Sequence, residues 1–132
     1  MSTTLSPAGQ FITLVSRIFL SLIFIVSGVG KITSYYATIG YITSVGAPFP
    51  EVAYVIAIII EVGFGLALLF GFKAKLAAAV IAVFTLAAAF LFHTDFANQI
   101  QTIMFLKNIT IIGGLLQIVA YGAGGFSIDN RK

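Results

Sequence analysis

Cysteine is absent from this sequence and charge is scarce. Lys, Arg, Asp and Glu make up 8% of 132 residues, against 60% hydrophobic. Without cysteine, disulfides, thiol redox chemistry and thiolate metal sites are excluded within the chain. With one histidine, His93, no bis-histidine haem can form inside it, and no metal site is expected. No basic run with interleaved aromatics occurs, which sets nucleic acid aside as a partner. Short segments of alternating hydrophobicity, the mark of a membrane β-barrel, are missing too. A soluble domain carries about 25% charged residues, so the solvent for most of this surface is lipid. The net charge of +3 then bears on orientation.

What is present is four apolar stretches, at residues 11–31, 50–70, 74–93 and 99–121. Each is near the length that crosses the hydrocarbon core as a helix, about 20 residues. The expected fold is all-α: a transmembrane four-helix bundle forming one domain over residues 1–132. The first stretch has no charged leading region and no small-residue cleavage site, so it reads as a retained helix rather than a signal peptide. Gly71 is a helix stop in the tight turn GFKAK. Residues 32–49, with Tyr35, Tyr36 and Tyr41, suit the headgroup level and a short helix before Gly46. The tail, GAGGFSIDNRK, is polar and rich in glycine. Four spans put both termini on one side, together with Lys73, Lys75, Arg131 and Lys132. The positive-inside rule makes that side cytoplasmic.

The charges inside the spans carry the functional signal. Residues 58–65 read IIIEVGFG, with Glu61 mid-span in one of the most apolar runs of the chain. A helix advances about 100° per residue, so offsets of 3, 4 and 7 share a face. The faces so assigned are Arg17, Ser21, Phe24, Gly28 and Lys31 on the first span and Tyr54, Ala57, Glu61, Gly65 and Leu68 on the second. On the third they are Ala79, Ala82, Leu86, Ala89 and His93, and on the fourth Lys107, Thr110, Gly114, Gln117 and Tyr121. A charge at the bilayer centre costs about 2.5–3.5 kcal/mol on insertion scales and persists where it turns inward to a partner. Depth along the helices predicts that Glu61 faces Lys107, with Arg17 as the competing partner. Blander readings stand beside these. Lys31 can simply snorkel, His93 can cap a helix end, Arg17 can be a clamp, and an acid–base pair can merely lock the bundle. A buried pair is weak evidence for stability, however, so the charged cluster is a functional candidate.

The ordered set RIFLSLIFIVSGVGK, GAPFP, IEVGFGLALLFGFKAK, a histidine ending the third span, FLKNITIIGGLL and a closing GAGGFSID resembles the DoxX family of small bacterial inner-membrane proteins, over roughly residues 14–130. The resemblance implies an inner-membrane location. It matches Arg17, Lys31, Glu61, His93, Lys107 and Asn108 to the family's polar positions, and Gly28, Gly71 and Gly114 to its glycines. It also implies redox work beside quinone-linked oxidoreductases.

Three functions compete on this footing. In the first, a redox-associated subunit binds a quinone or similar molecule in an intramembrane pocket. Quinone is then the candidate cofactor, and a soluble or membrane oxidoreductase must carry the electrons. In the second, a small-solute transporter gains its missing wall by forming a homo-oligomer. In the third, a structural subunit docks a soluble oxidoreductase through the turn at 71–75 and the tail. No catalytic residue is assigned.

Overall fold

The structure is a computed structural model that describes residues 5–131, and among these it contains helices and no strands. Helix α1 runs over Pro7–Thr33 and α2 over Tyr35–Ser44. The second span, Pro50–Phe70, is continuous but not uniform. It starts as α3 (Pro50–Ile58), loosens into a π-helical turn (Ile59–Phe64) and resumes as α4 (Gly65–Phe70). Helix α5 covers Ala74–Phe92 and α6 covers Gln99–Tyr121. A single 3₁₀ turn, Ile128–Asn130, follows. Four of these helical runs are long and apolar enough to cross a membrane: Pro7–Thr33, Pro50–Phe70, Ala74–Phe92 and Gln99–Tyr121.

Local chemistry sets the helix ends. Ser6 caps α1, its hydroxyl accepting from the Gly9 N–H at 3.1 Å, and Pro7 follows where its missing donor does no harm. Asn98 caps α6 by accepting from the Ile100 and Gln101 N–H groups. Gly71, at φ +70°, ends α4 in the left-handed conformation. A side chain there would also collide with Ser127.

The N-terminal end of α1, the turn at 71–73 and the C-terminal tail meet at one end of the bundle, called here the tail end. Helix α2 and residues 94–98 lie at the other, the loop end. Arg17 ties the tail end together. It is 1% exposed. Its Nε donates to the Ala123 carbonyl at 2.8 Å, and Nη1 donates to the carbonyls of Leu68 and Leu69 at 3.2 and 2.6 Å. Nη2 donates to the Phe126 carbonyl. Leu68 and Leu69 stand in the last turn of α4, where carbonyls lose their helical partners and the dipole favours a cation.

Asp129 completes the tie from the other strand of chain. Its carboxylate accepts from the N–H groups of Lys73 and Ala74 at 2.6 and 2.7 Å, capping α5 from 55 residues downstream. The glycine-rich tail therefore folds back onto the bundle. Lys132, assigned to the cytoplasmic side above, lies outside the described residues.

Helices α5 and α6 pack along their length, and α4 with the π turn packs against both α1 and α5. Phe24, Leu68, Ile81 and Leu115 form the centre of a dry core. Toward the loop end the bundle parts. Helix α3 rests on α1 and α2 and makes little contact with α5. The wedge left between them begins at the π turn, the kind of irregularity at which helices bend.

Candidate functional site

The wedge encloses a cavity of about 670 Å³ in the loop-end half of the bundle. Its walls are mostly apolar, supplied by residues such as Phe24, Ile42, Ala57, Phe84, Leu91 and Ile111. Helix α2 lies across it. Tyr41 of that helix stacks on Phe92 of α5 with ring centroids 5.1 Å apart. Tyr35 meets Tyr54 edge to face at 5.0 Å, and the Tyr54 hydroxyl donates to the Lys31 carbonyl at 2.8 Å.

Glu61 and Lys31 meet on the cavity wall, with Lys31 Nζ 2.8 Å from Glu61 Oε1. This corrects the pairing expected from depth alone: Glu61 faces neither Lys107 nor Arg17. The reason lies in side-chain direction, since residues on a helix lean toward its N-terminus. Helix α1 rises from the tail end, so Lys31 leans down into the membrane. The second span descends from the loop end, so Glu61 leans up. The two antiparallel helices aim acid and base at each other.

The pair is unequally buried, Glu61 being 4% and Lys31 30% exposed at the side chain. Lys31 is the partner of Oε1, and no other described side chain or backbone group hydrogen-bonds that oxygen. Gly28 makes room for this meeting. A methyl group there would come within 2.5 Å of Val62 Cγ2 and 3.0 Å of Glu61 Cβ. The π turn contributes as well, because Glu61 is carried inside it, and such turns recur at functional sites.

Two more polar residues join the cavity wall. Asn108 donates its amide to the Thr85 carbonyl at 3.2 Å. His93 ends α5 with Nδ1 3.4 Å from Gln101 Oε1. Of the six residues singled out in the sequence, Lys31, Glu61, His93 and Asn108 thus line one cavity. Arg17 does not, being wholly engaged in the tail-end clamp.

Lys107 is on the outside of the bundle. The inward face of α6 is one residue further round than expected, running through Asn108, Ile111, Leu115 and Ile118. The third span departs similarly at one position, where Leu86 is exposed and Thr85 is buried. Ser27 and Thr38 of the cavity wall were not singled out, and Tyr41 was assigned to the headgroup level rather than to the site. Ser27 was detectable, standing one helical turn before Lys31. Among the described residues no group of three His, Asp or Glu side chains is placed to hold a metal ion.

The DoxX family model matches residues 12–94, well over half of the chain. The chain belongs to the DoxX family. The matched region holds Arg17, Lys31, Glu61 and His93, while α6 with Lys107 and Asn108 follows it. The similarity to individual relatives extends further. The chain is 45% identical to the Escherichia coli inner membrane protein YqjF over 122 residues, 90% of this chain and 92% of that one. It is 34% identical to the Escherichia coli inner membrane protein YphA over 129 residues, again covering more than nine-tenths of both. No solved structure matches. With four membrane-crossing helices and these relatives, this DoxX protein is a multi-pass protein of the inner membrane.

Proposed function

We propose that this DoxX protein is a membrane subunit that binds a quinone or a similar small apolar molecule in the loop-end cavity, beside the Lys31–Glu61 pair. The observation that carries this reading is the cavity itself: about 670 Å³, walled mainly by apolar side chains, with one acid–base pair on its wall. Ligand sites have this make-up, a greasy cleft with a few convergent polar groups that fix orientation. An ion pair placed there is expensive to desolvate and contributes little net stability, so a ligand role accounts for it better than a structural one.

By the positive-inside rule, Lys73, Lys75 and Arg131 place the tail end in the cytoplasm and the cavity in the periplasmic half of the membrane. Electrons would pass through a partner oxidoreductase, since no electron carrier is supplied by these side chains. Transport is the weaker reading, because Phe24, Leu68, Ile81 and Leu115 pack into a dry layer between the cavity and the tail end. Docking through the tail is also weaker, because Asp129 and the tail carbonyls are already engaged within the chain.

The test is extraction of the protein into lipid nanodiscs, followed by native mass spectrometry and organic extraction. A stoichiometric apolar small molecule should accompany the wild type and be lost when the cavity is filled by Ala57→Phe. A wild type that carries nothing, and takes up no quinone when supplied with it, would refute the proposal.

A further inference from the structure

The cavity is roofed at the loop end but open at its side. Helix α2 forms the roof and is held at three points: its Ile42 is 5% exposed, its Tyr41 stacks on Phe92 of α5, and its Tyr35 meets Tyr54 of α3. The side is different. Ile56 of α3 and Leu91 of α5 line the cavity, yet each is 49% exposed, and Ala87 of the α5 wall is exposed too. A residue that both lines a cavity and faces outward stands on its rim. These three apolar side chains therefore mark an opening between α3 and α5, where the two helices part on the loop-end side of the π turn. Ile56 and Ala87 lie about 9 and about 8 Å along their helices from the loop-end termini, so the opening faces acyl chains rather than water. Ile23 of α1 is half exposed as well, but α1 closes on α6 one turn away, where Leu20 Cδ2 would lie 3.2 Å from a methyl group on Gly114. The polar residues Ser27 and Lys31 of α1 and Asn108 of α6 stand across the cavity from the opening.

We infer that the cavity exchanges its ligand sideways with the loop-end half of the bilayer, through the opening between α3 and α5. The ligand class is an amphiphile with a compact polar head and a long apolar tail. The head lies inside, toward α1 and α6. The tail passes between Ile56 and Ala87 and stays among the acyl chains. The inference rests on the binding reading above and sharpens it. A tail left in hydrocarbon moves no apolar surface out of water, so it adds nothing to affinity and meets no limit of length. A tail held inside would instead be limited by the cavity volume of about 670 Å³. Helix α2 is then a fixed roof that has no need to lift.

The experiment uses the full-length protein in nanodiscs and a trimethylbenzoquinone carrying an alkyl chain. Octyl, dodecyl and hexadecyl probes are compared at equal mole fraction in the lipid, and the bound fraction is read by native mass spectrometry. Wild type should bind the three within about twofold of one another, because the tail keeps its surroundings. The chain lacks cysteine, so Ile56→Cys/Ala87→Cys offers two thiols at the rim and no others. Bridging them with a bis-maleimide should slow loading from probe-bearing vesicles about tenfold or more, as closing a gate does. The control carries a separate mono-maleimide on each thiol. Rejection of the hexadecyl probe where the octyl probe binds would put the tail inside; it overturns the inference and leaves the binding proposal standing. Loading of the bridged protein as fast as the control overturns it too, by moving entry to the roof. Failure of every probe to bind wild type overturns both.

Discussion

Arg17 holds four backbone carbonyls of α4 and the tail from one buried side chain, which makes it the sharpest point to perturb. Arg17→Met keeps much of the volume and removes every donor. Four hydrogen bonds to backbone carbonyls are lost, at Leu68, Leu69, Ala123 and Phe126, of which Leu68 keeps a second donor in the Gly71 N–H. At about 1 kcal/mol net for each bond the loss is about 4 kcal/mol, a large fraction of a typical folding free energy of about 5–15 kcal/mol. Arg17→Lys should recover part of it, because an ammonium is a compact charge that cannot bridge α4 and the tail as a planar fork does. The assay is unfolding by SDS followed by circular dichroism, paired with limited chymotrypsin digestion at Phe126. The expected order of stability is wild type, then Arg17→Lys, then Arg17→Met, with tail cleavage rising in the same order. Probe binding in the loop-end cavity should persist in Arg17→Lys, since the clamp and the cavity are separate. Arg17→Met as stable and as protease-resistant as wild type would refute the clamp. Loss of binding in a stable Arg17→Lys would return Arg17 to the site.

Two further outcomes follow from the same geometry. Lys31→Met and Glu61→Leu should each destabilise the protein more than the double replacement does, because a single change strands a buried charge while the double change leaves an apolar pair; a double-mutant cycle in SDS unfolding reads the coupling, and strict additivity would contradict the contact. Lys107→Gln should change stability by no more than about 0.5 kcal/mol, the range of a substitution outside the core, and should leave probe affinity unchanged. A loss of affinity there would mean that α6 turns Lys107 inward.

Much of the bundle was legible in the sequence because lipid imposes a simple demand. A charged side chain within a span must find either a partner or the headgroups. The stripes through Arg17, Ser21, Phe24 and Gly28, and through Tyr54, Ala57, Glu61, Gly65 and Leu68, are the buried faces of the first and second spans. On α6 the same logic chose the wrong neighbour. Lys107 is about 12 Å in from the start of its helix, but its side chain leans toward that start, and its long stem can carry the ammonium out to the headgroups. Charge there marks depth rather than inside, and the uncharged Asn108 marks the inward face.

The π turn was illegible for another reason. The β-branched residues and glycine of IIEVGF recur throughout the spans and so do not mark the loosened turn, which lies where Glu61 meets Lys31 of α1. The tail was legible only as a polar, glycine-rich segment. Its order depends on Arg17 and Asp129, whose partners lie between 51 and 109 residues away in the chain.

The cap that Asp129 places on α5 has a temporal side. A nascent chain emerges at about 5–20 residues per second, and α5 is complete well before residue 129 has been made. Until then the first amides of α5 must rely on water or on lipid headgroups. The hinge between the second and third spans is thus open during insertion and is fastened only after α6 has crossed. Ribosomes that stop short of Asp129 would release chains with all four spans inserted but the hinge unfastened, and membrane quality-control proteases could recognise such chains by their exposed tail-end backbone.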